Sequence, residues 1–357
     1  MTPALEQAFH SQAIACETLD SPFMARMLPM LPGLIDPESA LAKTLQNWPE
    51  DRLGPAHDSI PLRRASGLHL LHLSHLSPEL SAAYPPNSGD LEDALAHTLK
   101  THEPALLKAL ENPPQTNEVR RAAALIATGH WLTARFGKPL ITSEVGASAG
   151  LNLNWDFMAL TARGKTLGPL NAPVHLKPDW QGEDPTLCPA YVAEARGVDI
   201  SPIDVSDPAQ ALRLQSYLWP DQAERLERTR AAIDLFLAPD TEAIVHQGDA
   251  LAWLPTRLTP RAGHCHLIYS TVAWQYLSEP AQARGAKLIS EAGAKATPDS
   301  PLAWFTMEAD GQRPGAALTL RLWPGDIPGD LKISMGRADF HGRWIDWQAP
   351  DPTFRLP

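Results

Sequence analysis

The pattern of apolar and polar positions divides the chain into two parts. Up to about residue 136, apolar residues recur at the three- and four-residue spacing of amphipathic helices, with breaks at prolines and glycines. After Pro139, short apolar runs alternate with helical stretches. This change predicts an α/β protein in which an all-helical domain precedes a Rossmann-like, mostly parallel sheet. We place the two domains at residues 1–114 and 115–357.

The individual elements follow from the same periodicities. Helices are predicted near residues 3–19, 22–32, 38–47, 62–76, 89–110, 118–136, 150–160, 207–237 and 278–293. Strands are predicted at 139–145, 195–203, 243–248, 265–270, 301–308, 316–323 and 331–347, the last of them bent. No helix separates the final two strands, so we expect an antiparallel pair at the sheet's edge. The turn-rich segment 156–194 reads as an insertion.

Composition and charge narrow the classes of function. The 357 residues carry a formal net charge of −11, which argues against tight binding to nucleic acid or to an anionic membrane. No signal-peptide pattern opens the chain, and no apolar run approaches the roughly 20 residues of a membrane helix. The three cysteines lie far apart without a CxxC pair. We therefore expect a cytoplasmic protein without a metal site.

The segment "LITSEVGASAGLNLNWD", residues 140–156, carries two motifs. Gly146–Gly150 matches G-x-S-x-G, the nucleophile elbow of serine esterases, with Ser148 as the nucleophile. Glu144 together with Gly146 and Gly150 forms an acid-and-glycine loop of the kind that holds a nucleotide-like cofactor. Both interpretations require a strand, a tight turn and a helix.

The esterase interpretation lacks its partner motifs. An esterase needs an oxyanion loop, often a His-Gly-Gly run upstream, and a later Asp and His. This chain has no such run, and its late pair Asp339 and His341 lies only two residues apart. The cofactor interpretation gains support because later strands also end in polar residues, at Asp199, Asp249 and Tyr269. Ligands of open α/β sheets bind at the carboxyl ends of the strands.

This ordered set resembles the class I methyltransferases, which use S-adenosylmethionine, over about residues 115–350. The resemblance implies a cofactor site formed by Glu144, Gly146, Ala147, Ser148, Gly150, Asp199, Asp249, Ala250 and Ser270. One departure concerns the ribose-binding acid, which usually lies about twenty residues beyond the glycine loop. Asp199 lies 55 residues beyond Glu144. Either the insertion accounts for the excess or Asp179 is the ribose partner.

The segment "QTNE", residues 115–118, forms a second set of candidates. A link as short as Gly137-Lys138 forces the helix that starts here to run antiparallel to the strand 139–145. The helix start then lies at the carboxyl edge of the sheet, with Asn117 as its N-cap. We expect Gln115, Asn117 and Arg121 to bind the substrate.

A methyl transfer needs a base only if the acceptor arrives protonated. The candidates are Glu118, Tyr269 and Glu308. The whole chain also resembles a bacterial family known only as a domain of unknown function, through "QTNEVRRAAAL", "EVGASAGLNLNWD", "GVDISPIDVSD" and "YLWPDQAERLERTRAAI". We therefore expect methyl transfer from S-adenosylmethionine to a small-molecule or protein acceptor. The alternatives are a non-catalytic, methyltransferase-like ligand-binding protein and a serine esterase; the acceptor and the oligomeric state stay open.

Overall fold

The computed structural model describes residues 2–55, 57–327 and 329–354, which fall into two compact units. The helical unit contains the residues up to Thr116 together with Val205–Arg230. The sheet unit contains Asn117–Asp204 and the residues from Ala231 onward. The expected α/β class, with N-terminal helices, a large mostly parallel sheet and antiparallel C-terminal strands, is confirmed.

Several of the helices begin at a polar cap followed by a proline. Thr2 caps the first helix by accepting a hydrogen bond from the amide of Leu5 (3.3 Å), and a proline follows the cap, where its missing N–H costs nothing. The α-helices in chain order are α1 (Pro3–Thr18), α2 (Pro22–Leu34), α3 (Ala40–Gln46), α4 (Ile60–Leu73), α5 (Pro78–Ala83), α6 (Leu91–Thr101), α7 (Glu103–Ala109), α8 (Ala122–Phe136), α9 (Pro208–Ser216), α10 (Ala223–Phe236), α11 (Ala250–Arg257) and α12 (Glu279–Gly293).

Two helices predicted as single elements are pairs in the structure. The span 89–110 is divided at His102 into α6 and α7, and the span 207–237 is divided into α9 and α10. In both cases a proline lies at the break, Pro104 in the first turn of α7 and Pro220 before α10. Proline disfavours helical conformation of the residue before it, so each amphipathic pattern resumes in a new helix.

The core of the helical unit is apolar and continuous from α1 to α7. Phe9, Met27 and Leu68 are fully buried in it. Trp219, from the segment between α9 and α10, packs in the same core. This burial explains why residues 205–230 belong to the helical unit although they follow the first strands of the sheet.

A nine-stranded sheet dominates the other unit. The strands in chain order are β1 (Leu140–Val145), β2 (Ala159–Ala162), β3 (Lys165–Leu167), β4 (His175–Leu176), β5 (Asp179–Gly182), β6 (Val192–Asp199), β7 (Ile244–Gln247), β8 (Cys265–Thr271), β9 (Leu302–Glu308), β10 (Ala316–Trp323), β11 (Leu331–Ala338) and β12 (Trp344–Trp347). The nine strands of the large sheet lie side by side in the order β7-β6-β1-β8-β9-β10-β11-β12-β5. The strands from β7 to β9 are parallel, and β10, β11 and β12 add antiparallel neighbours.

Two local predictions need correction. The helix expected at 150–160 is absent: this segment forms turns, a short 3₁₀ turn at Trp155–Phe157 and the start of β2. Asn152 and Asn154 favour such turns because their side chains compete for backbone hydrogen bonds. The bent strand 331–347 is two strands, β11 and β12, joined by a tight turn. The insertion forms a small sheet, β3-β2-β4, and supplies β5 to the far edge of the large one.

Helix α8 leads into β1 through a sharp reversal. Gly137 ends the helix in the left-handed region (φ 62°) and donates its amide to Thr133 O at 2.8 Å. Glycine adopts this conformation without a steric penalty. The start of α8 therefore lies at the carboxyl edge of the sheet, where the candidate residues meet.

Candidate functional site

The strand order reverses between β1 and β8. The chain passes from β1 to β6 and β7 on one side, then returns to β8 and β9 on the other. Ligands of open α/β sheets bind outside the carboxyl ends of the strands at such a reversal. The residues that end β1 and β8 here are Glu144, Val145, Ser270 and Thr271. This edge, which we call the carboxyl edge, is the candidate site.

The loop after β1 is a strained turn held by the backbone of β6. Gly146, Ser148 and Gly150 all lie at positive φ (75°, 54° and 76°). The amides of Gly146 and Ala147 both donate to Val198 O, at 2.9 and 3.0 Å. No α-helix follows the loop, so it lacks the helix N-terminus that often supports a phosphate or carboxylate.

The glycines of this loop approach protein side chains. A Cβ atom placed on Gly146 would lie 2.4 Å from the Cβ of Ala273, in the loop after β8. One placed on Gly150 would lie 2.5 Å from Val245 and 2.8 Å from Phe236. The small size of these residues therefore lets the loop after β1 seat against the neighbouring strand ends.

Asp199, at the end of β6, holds the centre of the loop. Its Oδ2 accepts the amide of Ser148 at 2.8 Å, and its Oδ1 accepts the amide of Ser201 at 2.9 Å. Asp179 lies elsewhere, on β5 beside β12 at the far edge of the sheet. Of the two acids considered for the ribose, Asp199 is therefore the one that contacts the glycine loop.

Asp249 and Ala250 lie at the start of α11, just after β7. The Oδ1 atom of Asp249 accepts the amide of Ala252 at 2.9 Å, so this carboxylate caps the helix. The amide of Gly248 donates to Asp199 O at 2.9 Å, which ties the end of β7 to the end of β6. Asp249 thus follows directly on the strand end beside Asp199.

Glu144 is a carboxyl group buried in the sheet. It is 1% exposed, and the hydroxyl of Tyr269 lies 3.4 Å from its Oε2. The same hydroxyl lies 3.2 Å from Asn152 O. Burial raises the pKa of Glu144 well above its usual value, with Tyr269 and the charge of Arg121 opposing the shift. The buried environment therefore favours the protonated form of this carboxyl group unless a cationic group lies beside it.

The segment Asn117–Arg121 lies against the same loop. Asn117 does not cap the helix as predicted: its Oδ1 accepts the amide of Leu151 at 2.8 Å, because a 3₁₀ turn at Val119–Arg121 precedes α8. The Nδ2 atom of Asn152 donates to Glu118 O at 3.2 Å. Arg121 donates to Thr271 O (2.8 Å) and to Phe340 O (2.9 Å). Asn117, Glu118 and Arg121 therefore connect the loop after β1 to the end of β8.

The turn between β11 and β12 brings a histidine to Glu118. Asp339 accepts the amide of His341 at 2.9 Å and the Nε atom of Arg343 at 3.1 Å, which fixes the turn. The Nδ1 atom of His341 then lies 3.6 Å from Oε2 of Glu118, a carboxylate that is 3% exposed. The sequence does not indicate that His341 belongs to this site, since only the fold brings residue 341 next to residue 118.

The remaining predicted site residues occupy different surroundings. Glu308 accepts the amides of Ala273, Trp274 and Gln275 at 3.1, 3.0 and 3.3 Å, so both its oxygens hold the turn after β8. Burial nevertheless raises the pKa of Glu308. Ser270 is fully buried in β8. Gln115 belongs to the helical unit.

Within residues 2–55, 57–327 and 329–354, no three His, Cys, Asp or Glu side chains are grouped as a metal site would require. The helices of the same residues include none with the length and apolarity of a bilayer-spanning segment.

The comparisons with known proteins identify the family. The model of a bacterial family described as "Uncharacterized protein conserved in bacteria (DUF2332)" matches residues 6–347. The chain belongs to this family. No curated protein and no solved structure matches it.

Proposed function

We propose that this protein binds S-adenosylmethionine at the carboxyl edge and transfers its methyl group to a small-molecule or protein acceptor. One observation carries the proposal. The strained loop after β1 is hydrogen-bonded to Asp199 through the amide of Ser148 (2.8 Å), beside the buried Glu144, where the strand order reverses. A buried acid, a glycine loop and a second acid at the next strand end are the parts that the resemblance to class I methyltransferases requires.

The charge of the site fits a cationic ligand. Glu144 is buried and accepts a long hydrogen bond from Tyr269, so ionising it without a counter-charge is costly. The α-ammonium and sulfonium groups of S-adenosylmethionine would provide that charge. Asp199 accepts the amides of Ser148 and Ser201 at the strand end beside the loop, which is the position of the ribose-binding acid in the class I methyltransferases that the chain resembles.

Polar atoms around the loop also fit a ligand. The hydroxyl of Ser148, Oδ1 of Asn152 and Nδ2 of Asn154 are buried and have no hydrogen-bond partner among the described residues. Most buried polar atoms in proteins are hydrogen-bonded, so a cluster of unpartnered atoms within seven residues of sequence needs an explanation. A polar ligand bound at this loop would provide it.

The bound cofactor would supply an electrophilic methyl group. The protein's part is to hold the acceptor in line, to exclude water and to take a proton when the acceptor carries one. Among the three predicted bases, Glu308 already holds the turn after β8 with both oxygens, and burial raises the pKa of the Tyr269 phenol. Glu118 beside His341 is therefore the pair best placed to hold a proton.

A thermal-shift and transfer experiment tests the proposal. S-adenosylmethionine and its demethylated product are each titrated against the parent, against Glu144→Ala and against Ser148→Ala. We expect the parent's melting temperature to rise, because saturation at 100 times Kd stabilises the fold by about 2.7 kcal/mol. Glu144→Ala should abolish the rise, and Ser148→Ala should keep most of it. An unchanged parent at millimolar ligand would refute the proposal.

Turnover distinguishes a methyltransferase from a non-catalytic binder. The parent is incubated with methyl-tritiated cofactor and, separately, with pooled bacterial metabolites and denatured bacterial proteins. Label transferred to either pool in the parent, and lost in Glu118→Gln, supports catalysis. Tight binding without transfer in any pool would favour the ligand-binding alternative.

One observation favours the esterase as a second candidate. Ser148 lies at φ 54°, and a nucleophile elbow requires such a strained serine. However, its hydroxyl contacts no histidine among the described residues, and no helix follows. We therefore expect no hydrolysis of nitrophenyl esters. Hydrolysis that disappears in Ser148→Ala would make the esterase the leading function.

A further inference from the structure

A second polar site lies at the opposite edge of the same sheet. We call this the amino edge, since the adjacent strands β6, β1, β8 and β9 begin there. A cavity of about 180 Å³ opens between these strand starts and the ends of α11 and α12. Cavities of about 150 Å³ hold molecules of the size of benzene. The cavity is therefore large enough for a small organic ligand.

Two arginines and one glutamate give the cavity a cationic side. Arg257 pairs with Oε1 of Glu194, and its Nε also donates to the hydroxyl of Ser143 at 3.2 Å. Arg261 lies 3.6 Å from the other oxygen of Glu194, beyond hydrogen-bond reach. Two guanidinium groups thus face one carboxylate, and Arg261 keeps its planar fork of donors available for an oxyanion.

The neighbouring histidine supplies a further donor. His266, which is 7% exposed, has its Nε2 atom 2.9 Å from the hydroxyl of Ser143. Burial, together with the charge of Arg257, lowers the pKa of His266 to about 3, so the ring is neutral. In the tautomer that carries the ring proton on Nδ1, the hydroxyl of Ser143 accepts from Arg257 and donates its own proton to Nε2 of His266. The Nδ1–H group of His266, a cavity-lining residue, is then left as a donor.

The cavity also has an apolar part to its lining. Ile141, Ala292, Ala296, Pro301 and Leu302 line it. The net charge of the arginine–glutamate group is about one positive unit, and the negative ends of α11 and α12 offset part of that charge. These features favour a singly charged anion with a hydrocarbon part.

We propose that the amino-edge cavity is a binding site for a small organic monocarboxylate. Its carboxylate lies on the side of Arg261 and His266, and its hydrocarbon part lies against Ile141, Ala292 and Leu302. The site is separate from the carboxyl edge and does not rest on the proposed methyl transfer.

Isothermal titration with sodium benzoate tests this site. The parent should bind benzoate in the millimolar range or tighter. Benzyl alcohol, which lacks the carboxylate, and inorganic phosphate, which lacks the hydrocarbon part, should each bind at least tenfold more weakly. Arg261→Gln should weaken benzoate about tenfold, the effect of losing a charge-assisted hydrogen bond. Arg284→Gln removes an exposed arginine of α12 outside the cavity and should change nothing.

A filling substitution tests the apolar side without changing charge. Ala296→Leu places a larger side chain in the cavity and should abolish benzoate binding, whereas the thermal response to S-adenosylmethionine should match the parent's. Benzoate affinity equal to the parent's in both Arg261→Gln and Ala296→Leu would overturn the proposal, as would no benzoate binding by the parent. Equal affinity for phosphate and benzoate would also overturn it, because charge alone would then explain binding.

Discussion

The two edges of the large sheet differ in the charge they bury. At the carboxyl edge, Glu144 and Glu118 are 1% and 3% exposed, and within residues 2–55, 57–327 and 329–354 the side chain bonded to Glu144 is the neutral Tyr269. At the amino edge, Arg257 and Arg261 both face the single carboxylate of Glu194. In a parallel sheet all strands start at one edge and end at the other. The two edges are therefore separate, and one can carry an acidic site while the other carries a basic site. The comparison predicts a cationic ligand at one edge and an anionic ligand at the other.

The largest expected effect is a difference in stability between alanine substitutions in one loop at each edge. Gly146 and Gly263 lie at similar φ (75° and 77°), but only Gly146 has a neighbour that an added methyl would strike. Gly263→Ala should cost about 1–2 kcal/mol from the left-handed conformation alone. Gly146→Ala adds an overpacking cost of about 1–3 kcal/mol against Ala273. Urea unfolding measures both variants, and equal losses would show that the loop after β1 does not pack as described.

The same change of Glu to Gln should have opposite signs at the two edges. Burial raises the pKa of Glu144 above 4.5, so the folded state binds more protons and this group's contribution to stability falls as pH rises above 4.5. Glu144→Gln cannot ionise and should be more stable than the parent at pH 8, by about 1–3 kcal/mol.

Glu194 is the matched case at the amino edge. Burial opposes its ionisation, but Arg257 lowers its pKa on balance, so its contribution is present above pH 4.5 and is lost as pH falls. Glu194→Gln should therefore destabilise the protein by about 1–3 kcal/mol at pH 8. Urea unfolding of both variants and the parent at pH 5 and pH 8 checks the signs. Loss of stability in both variants at pH 8 would remove the contrast between the edges.

Substitutions of Asp199 and Asp179 should have a smaller effect, which is measured as a change in affinity for S-adenosylmethionine. Asp199→Asn removes the charge of the carboxylate that accepts the amide of Ser148. It should weaken the binding of S-adenosylmethionine about tenfold. Asp179→Asn alters an exposed residue on β5 and should leave the affinity unchanged. Titration calorimetry measures both. Weaker binding of S-adenosylmethionine in Asp179→Asn alone would indicate that Asp179, and not Asp199, contacts the ribose.

The sequence predicted the carboxyl edge better than the amino edge for a physical reason. Glycine, acid and strand-end signals are local, so Glu144, Gly146 and Asp199 could be named and placed in order. Helix 150–160 was predicted wrongly because its apolar spacing was weighed above the turn preference of Asn152 and Asn154. Local patterns do not predict which distant residues meet.

The missed residues illustrate that limit. His341 reaches Glu118 only because the β11–β12 turn folds back on the start of α8. The amino-edge cavity gathers Glu194, Arg257 and His266 from three elements, and none of them belongs to a short motif. Such sites depend on strand order, which the periodicity of a single sequence leaves undetermined.

The smallest expected effect separates the two arginines of the amino edge. Arg261 is half exposed, its side chain 54% accessible, and it lies 3.6 Å from Glu194. Exposed pairs of this kind contribute about 0–1 kcal/mol, because water screens the charges and both side chains lose freedom. Arg261→Gln should thus change the free energy of unfolding by less than about 0.5 kcal/mol.

Arg257→Gln is the matched comparison, since it leaves Glu194 without its close partner and Ser143 without a donor. The free energy of unfolding should fall more in Arg257→Gln than in Arg261→Gln. The decrease should persist at high salt because Arg257 is largely buried. Urea unfolding at low and high salt measures both arginines. A loss in Arg261→Gln as large as in Arg257→Gln would mean that Arg261 serves the fold. Its place as a ligand-facing group, and with it the proposed functional contrast between the two edges, would then fail.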